Sequence, residues 1–205
     1  MEEEKLTPKE KMGDYINFLG YESNAFGYVF IIQEYIKRNK CKEILELGVR
    51  GGFSTMGILF ACKEHNAHLW SVEIATEKNK MDGWEMVIKT VRDVKENQLD
   101  KYWTFTQCND LDYECDRQYD VIFIDTDHKY KQTLLELEKF SRFVKIGGVI
   151  FLHDTLHHEH CIDVSSAIAT FMCHDFIRNH LKIRGRWKYQ ETGTCHGLGI
   201  LERIA

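Results

Sequence analysis

Residues Ile44 to Thr55, ILELGVRGGFST, constrain the fold more than any other stretch of this chain. Ile44, Leu45 and Leu47 read as the end of a buried strand. Gly48, Gly51 and Gly52 supply a tight turn, and Phe53 to Lys63 carries a helical pattern with Ser54 and Thr55 in its first turn. A strand running through glycines into a helix N-terminus offers backbone N–H groups to a nucleotide-like ligand, and a Cβ in the turn would block its approach. The bland alternative is an ordinary glycine-rich turn. In the dinucleotide form, GxGxxG, the second glycine faces a pyrophosphate. Here position 50 is arginine and the pattern is ExGxxxG from Glu46 to Gly52, which disfavours a nicotinamide dehydrogenase.

The elements on either side agree with this turn. Phe26 to Arg38 is helical by pattern, and Glu43 to Leu47 is the first strand. His68 to Ile74, Trp103 to Gln107, Tyr119 to Asp125 and Val149 to Asp154 read as further strands. Helices are expected at Gly83 to Val94, Thr133 to Phe143 (ended by Gly147-Gly148) and Val164 to Ile177. YDVIFID, the near-continuous apolar run from Tyr119, suits a strand covered on both faces. Trp187 to Gln190 and Leu198 to Arg203 follow with no helix between them, so the closing pair should be antiparallel. The expected architecture is α/β: a Rossmann-like, seven-stranded, mostly parallel sheet with an antiparallel C-terminal strand and helices on both faces. One domain over 1–205 is expected, with 1–25 as a lead-in that covers substrate and 26–205 as the core.

Composition excludes several classes. A net charge of −5 argues against a protein that coats nucleic acid. No apolar run reaches the ~20 residues of a membrane span, and MEEEKLTPKEK lacks the apolar stretch of a signal peptide. The 7 cysteines form no CxxC pair and read as reduced thiols. Together these give the expectation of a cytoplasmic protein with no membrane partner. The basic stretch Arg178 to Lys188 reads first as a solvated face, and an anionic substrate is the sharper option. RNA is disfavoured because Trp187 is the only aromatic residue in it.

Ligands of open α/β sheets bind at the carboxyl ends of the strands. Glu73 ends the second strand about 20 residues beyond the glycine turn, where an acid accepts hydrogen bonds from ribose. Asn109 and Asp110 follow the third strand, where a ligand role and a plain turn weigh equally. Asp125-Thr126-Asp127-His128 and His153-Asp154 end the next two strands. Carboxylates from neighbouring strand ends can converge on a hard cation. HDTLHHEHC, from His153 to Cys161, has nitrogen donors for a transition metal but matches no zinc-finger or HExxH spacing.

Glu46 to Gly52 resembles motif I of the class I S-adenosylmethionine (SAM)-dependent methyltransferases. The run FIDTDHKYKQTLLELEKFSRFVKIGGVIFLHDT and the closing GLGILER resemble the group of macrocin O-methyltransferase and the cephalosporin-hydroxylase-like proteins. Catechol O-methyltransferase is a more distant likeness. The resemblance implies SAM as cofactor, with Glu46, Gly48, Arg50, Gly52, Ser54, Glu73, Asn109, Asp110 and Asp125 around it. It further implies Mg²⁺ or another divalent metal on Asp125, His153 and Asp154, with Thr155 in place of an expected asparagine ligand. Asp125 and His128 are the implied catalytic residues, His128 as general base. The expected reaction is O-methylation of a small sugar- or polyol-like hydroxyl. An iron oxygenase of the cephalosporin-hydroxylase type and a non-catalytic SAM-binding protein are the alternatives. The aromatic residues Tyr15, Phe18, Tyr21, Phe26, Tyr28 and Phe30 are expected to cover the active site or to form a homo-oligomer contact.

Overall fold

The computed structural model describes residues 27–75, 83–156, 161–180, 186–193 and 196–205. The lead-in over 1–25 lies outside them. In chain order the elements are α1 (Gly27–Arg38), β1 (Glu43–Leu47), α2 (Phe53–His65), β2 (His68–Glu73), α3 (Trp84–Glu96) and β3 (Trp103–Gln107). Then follow β4 (Tyr119–Ile124), α4 (Tyr130–Phe140), β5 (Val144–His153), α5 (Cys161–His180), β6 (Trp187–Thr192) and β7 (Leu198–Arg203). The seven strands form one sheet in the order β3-β2-β1-β4-β5-β7-β6. The pairs from β3 through β5 are parallel, whereas β7 runs antiparallel to both β5 and β6. This is the expected architecture, including the terminal reversal.

The period-two alternation of the central strands sorts their side chains onto two faces. Ile44, Val121, Phe123, Val149 and Phe151 pack with α1 and α2 residues such as Val29, Ile32, Met56 and Leu59. Leu45, Leu47, Ile122, Ile124, Ile150 and Leu152 pack on the opposite face with Leu137, Phe140, Val164, Ile168 and Phe171 of α4 and α5. Because β1 and β4 are buried on both faces, their tips are held rigidly. The strand order reverses at β1, sending β2 to one side and β4 to the other. A crevice at the carboxyl edge is the consequence of that reversal.

Helix α5 extends three residues beyond the expected Val164 to Ile177 at each end, and the boundaries between β4 and β5 differ for a physical reason. Helix α4 begins at Tyr130 rather than Thr133 and ends at Phe140, before a single 3₁₀ turn over Ser141–Phe143. Strand β5 begins at Val144, so Gly147-Gly148 does not end a helix. Instead the β4–β5 register jumps, pairing Tyr119 with Val144 but Val121 with Val149. The extra residues of β5 form a bulge, and its glycines are needed: Gly147 has φ +82°, and a Cβ on Gly148 would crowd the Asp120 carbonyl. In α3, burial runs through Val87, Thr90 and Val94, while Ile88 is exposed.

Candidate active site

The first turn of the site follows from β1. Leu47 accepts a hydrogen bond from the Asp125 N–H (2.9 Å), and Gly48 donates to the Val72 carbonyl (2.9 Å). The turn is thereby tied to strands on both sides. Gly48 has φ +91°, and a Cβ there would overlap the carbonyl oxygen of Asp125. Gly52 has φ +69°, and its Cβ would overlap the Thr90 side chain on α3. Only glycine satisfies both demands at these two positions.

A cleft of about 340 Å³ opens beside this turn. Of the residues expected around a cofactor, Gly48, Arg50, Glu73, Asn109, Asp110 and Asp125 line it. Glu73 Oε2 accepts hydrogen bonds from the backbone of Val49 and Arg50, both at 2.9 Å, and Oε1 accepts one from Ala75 (2.8 Å). One acid at the β2 tip therefore fixes the shape of the glycine turn. Asn109 caps the short turn after β3 by accepting from the Leu111 N–H (2.8 Å).

Glu46, Gly52 and Ser54, also expected around a cofactor, are not among the residues that line the cleft. Glu46 is fully buried behind the turn. Its carboxylate accepts from Ser54 Oγ (2.7 Å), Thr55 Oγ1 (2.8 Å) and Ser71 Oγ (2.7 Å). Burial pushes the Glu46 carboxyl up to about 7 against the pull of these three hydroxyls. Glu46 and Ser54 thus pin the start of α2 to the sheet. Spacing alone could not show on which side of the turn these side chains fall.

Several cleft residues carried no sequence signal. Gln132 lines it from α4, and its Nε2 donates to Asp110 Oδ1 (3.0 Å) and to Glu136 Oε1 (2.8 Å). Glu136 is fully buried and also accepts from Thr126 Oγ1 (2.8 Å). Burial and the neighbouring Asp110 carboxylate raise the Glu136 carboxyl well above its usual range. The one available hint was the separation of Gln132 from Glu136 by one helical turn.

At the tips of β4 and β5 the expected catalytic and metal residues come together. Asp125 Oδ1 accepts from His128 Nε2 at 2.9 Å and lies 3.3 Å from His153 Nδ1. His128 Nδ1 stands 3.4 Å from Asp154 Oδ2, and His153 Nδ1 stands 3.3 Å from Asp154 Oδ1. Burial opposes charge on Asp125, yet its two imidazole partners hold the carboxyl far below the usual range. Burial likewise works against a charged His128, but its hydrogen bond to Asp125 and the nearby carboxylates raise its pKa overall. Both His128 and Asp154 have φ +56°, a left-handed conformation that other side chains rarely adopt. The Tyr28 ring packs on His153 with centroids 4.3 Å apart.

The expected metal set was Asp125, His153 and Asp154. Among the described residues, the group whose donor atoms all lie within 4.8 Å of one another is Asp125, His128 and His153 instead. Asp154 touches both imidazoles, at 3.4 Å from His128 and 3.3 Å from His153, but is not part of that group. Of the HDTLHHEHC run, residues 157–160 lie outside the described residues, as do 181–185 of the basic stretch.

A switch-point cleft, a glycine turn clamped by an acid at the β2 tip and a sheet closed by a reversed β7 define a Rossmann-type methyltransferase. A family model described as a methyltransferase domain matches residues 45–155, more than half of the chain, and the protein belongs to that family of SAM-dependent enzymes. No curated protein matches the sequence. Solved structures share the fold. A Staphylococcus aureus protein assigned as a caffeoyl-CoA O-methyltransferase is 15% identical with a TM-score of 0.67, over 97% of this chain and 93% of that one. An O-methyltransferase from Bacillus cereus, solved with S-adenosylhomocysteine (SAH), is 17% identical with a TM-score of 0.62, over 96% and 90%. The O-methyltransferase of tomaymycin synthesis from Streptomyces achromogenes, solved with SAM, is 12% identical with a TM-score of 0.62, over 98% and 92%. None of the described helices is long and apolar enough to cross a membrane.

Proposed function

We propose that this protein transfers the methyl group of SAM to a hydroxyl oxygen of a small sugar- or polyol-like molecule, with His128 as general base. The observation that carries the reading is the position of Asp125. It lines the cofactor cleft and at the same time holds His128 at 2.9 Å. The cleft suits SAM because it opens beside the glycine turn at the switch point, with Arg50, Glu73, Asn109 and Asp110 on its wall. Glu73, Asn109 and Asp110 are the candidates for its ribose and adenine, and Arg50 for its carboxylate. When bound, SAM supplies an electrophilic sulfonium methyl.

Asp125 accepts from Nε2 and so leaves Nδ1 of His128 as the basic nitrogen, the logic of an Asp-oriented histidine. The 3.4 Å separation of Nδ1 from Asp154 is long for a hydrogen bond, and Asp154 stabilises the imidazolium as it forms. His128 takes the hydroxyl proton while the acceptor oxygen forms its bond to the methyl carbon and the carbon–sulfur bond breaks, releasing SAH. O-methyl transfer also agrees with the names of the structural neighbours. The lead-in over 1–25 is proposed as the acceptor's cover within a single domain.

Mg²⁺ does not fit this cluster. That ion demands near-octahedral oxygen ligands, and two of the three donors that lie together here are imidazoles. No part of the reading passes through it. Transfer of radiolabelled methyl from SAM to a panel of sugars, polyols and phenols tests the proposal. Label in an alkali-stable ether supports it. Tight SAH binding with no transfer to any hydroxyl, with or without Mg²⁺, would sink the acceptor assignment.

A further inference from the structure

Helix α4 carries a polar stripe. Gln132, Glu136 and Lys139 follow at i, i+4 and i+7 and so share one face. That face meets the short 3₁₀ turn Asp110–Asp112 after β3, where Lys139 Nζ donates to the carbonyls of Asp110 (2.9 Å) and Leu111 (2.7 Å). We propose that Asp110 and Gln132 together make the cofactor cleft selective for a 6-aminopurine, with buried Glu136 as the positioning residue that holds the Gln132 amide. This rests on the proposed reading in placing adenine at Asp110 and is independent of the acceptor hydroxyl.

The amide nitrogen of Gln132 has two N–H groups. One faces the Asp110 carboxylate, at 3.0 Å from Oδ1 and 3.3 Å from Oδ2, and the other meets Glu136 Oε1 at 2.8 Å. Only the nitrogen end of the amide can donate to a carboxylate, which sets its orientation. Both donors are thus used inside the protein. Oε1 of Gln132 is left as an acceptor on a side chain that lines the cleft. Asp110 Oδ1 also accepts from the Leu111 N–H (2.9 Å), whereas Oδ2 has only the longer contact to Gln132. The wall therefore offers two neighbouring acceptors. The exocyclic amine of adenine brings two N–H donors to them. A 6-oxopurine brings a carbonyl oxygen at the same position, and acceptor would face acceptor.

Glu136 keeps the amide in place. It is fully buried, and its Oε1 takes both Gln132 and Thr126 Oγ1 (2.8 Å). Its Oε2 is buried with no hydrogen-bond partner among the described residues. A second carboxylate there, beside Asp110, would be costly, and burial and Asp110 raise the Glu136 carboxyl accordingly. As a neutral acid, Glu136 leaves the negative charge on Asp110, at the cleft wall where N–H donors arrive.

The test uses the full chain and two ligands: SAH, and its analogue with hypoxanthine in place of adenine. Calorimetry gives both dissociation constants. The parent should bind SAH about a hundredfold more tightly than the 6-oxo analogue. Gln132→Leu should cut that ratio by about tenfold or more, chiefly by weakening SAH. A merely structural side chain would weaken both ligands alike, so an unchanged ratio would overturn the assignment. Glu136→Gln, neutral and still able to accept from the amide, should keep the parent ratio, whereas Glu136→Leu should lose it. If Glu136→Leu does not fold, Gln132→Leu decides the matter, because that side chain is only half-buried. A parent that binds both ligands equally would also overturn the proposal. Asp110→Ala separates the two readings. SAH affinity unchanged there would mean that adenine lies elsewhere, and the placement and the proposal would fall together. SAH weakened there, with the ratio intact in Gln132→Leu, would leave the placement standing and sink the role of Gln132 alone.

Discussion

Carboxylates stand at two places along the sheet's carboxyl edge, and they are satisfied in opposite ways. At β1 and β2, Glu46 takes three hydroxyl donors and Glu73 takes three backbone N–H donors. At β4 and β5, Asp125 shares its charge with two imidazoles, and Asp154 meets the same two imidazoles at 3.3–3.4 Å. The first pair is consumed by architecture and fixes a turn. The second is paired with side chains that can take up and release a proton. The acids of β1 and β2 therefore shape the turn, and those of β4 and β5, paired with imidazoles, stand where a proton can move.

The strongest way to break this contrast is to remove His128. His128→Ala should lower kcat by about 10²–10⁴-fold, the usual span of general base catalysis, with SAH affinity within a few-fold of the parent. Calorimetry with SAH and initial rates with a hydroxyl acceptor measure the two quantities separately. Equal losses in both would mean that His128 supports the cofactor cleft rather than the reaction.

Next in size is the turn itself. Gly48→Ala suffers both a left-handed φ and overlap with Asp125, and should cost about 2–4 kcal/mol of stability. Gly147 shares the positive φ but has open space around its Cβ position, so Gly147→Ala should cost only about 1–2 kcal/mol. Denaturant melts of the two variants separate strain from crowding. Equal losses would show that close approach at Gly48 matters little.

Glu73→Gln should follow. It weakens two charge-assisted bonds to the turn, each worth about 1.5–3 kcal/mol, and should loosen SAH by about tenfold or more. Glu46→Gln, behind the turn, should change SAH affinity no more than a few-fold. Reversal of that order would place Glu46 rather than Glu73 at the cofactor.

Legibility in the sequence divides along the same line. The strands and the glycine turn were readable because burial on both faces enforces long apolar runs, and because Gly48 and Gly52 occupy conformations that other residues resist. Asp125, His128, His153 and Asp154 were readable as neighbours because parallel strands end at one edge. What spacing could not convey is the direction of a side chain about its own turn. Ser54 and Glu46 face inward, and His128 joins Asp125 and His153. Gln132 had no signal beyond its helical spacing to Glu136. The start of β5 was misplaced because two glycines serve a bulge as readily as a helix end.

The smallest effect concerns the proton on Glu46. Its folded pKa of about 7 lies above the ordinary 4.5, chiefly because burial disfavours the carboxylate. Below the ordinary value both folded and unfolded chains hold the proton, and the group is neutral toward stability. Between the two values the unfolded chain has released it and the folded chain has not, so stability falls as pH rises, by at most about 1.4 kcal/mol per unit. Above the folded value the loss is complete and constant. Glu46→Gln cannot titrate and should flatten this slope in urea melts taken at intervals across the window. A residual slope of the same sign should persist, since Glu136 is raised in the same direction by burial and by Asp110. Glu46→Gln combined with Glu136→Gln should remove both contributions. A slope unchanged in Glu46→Gln would mean that the three hydroxyls keep the carboxylate ionised in the folded protein, and that a fully saturated acid can stay charged without access to water.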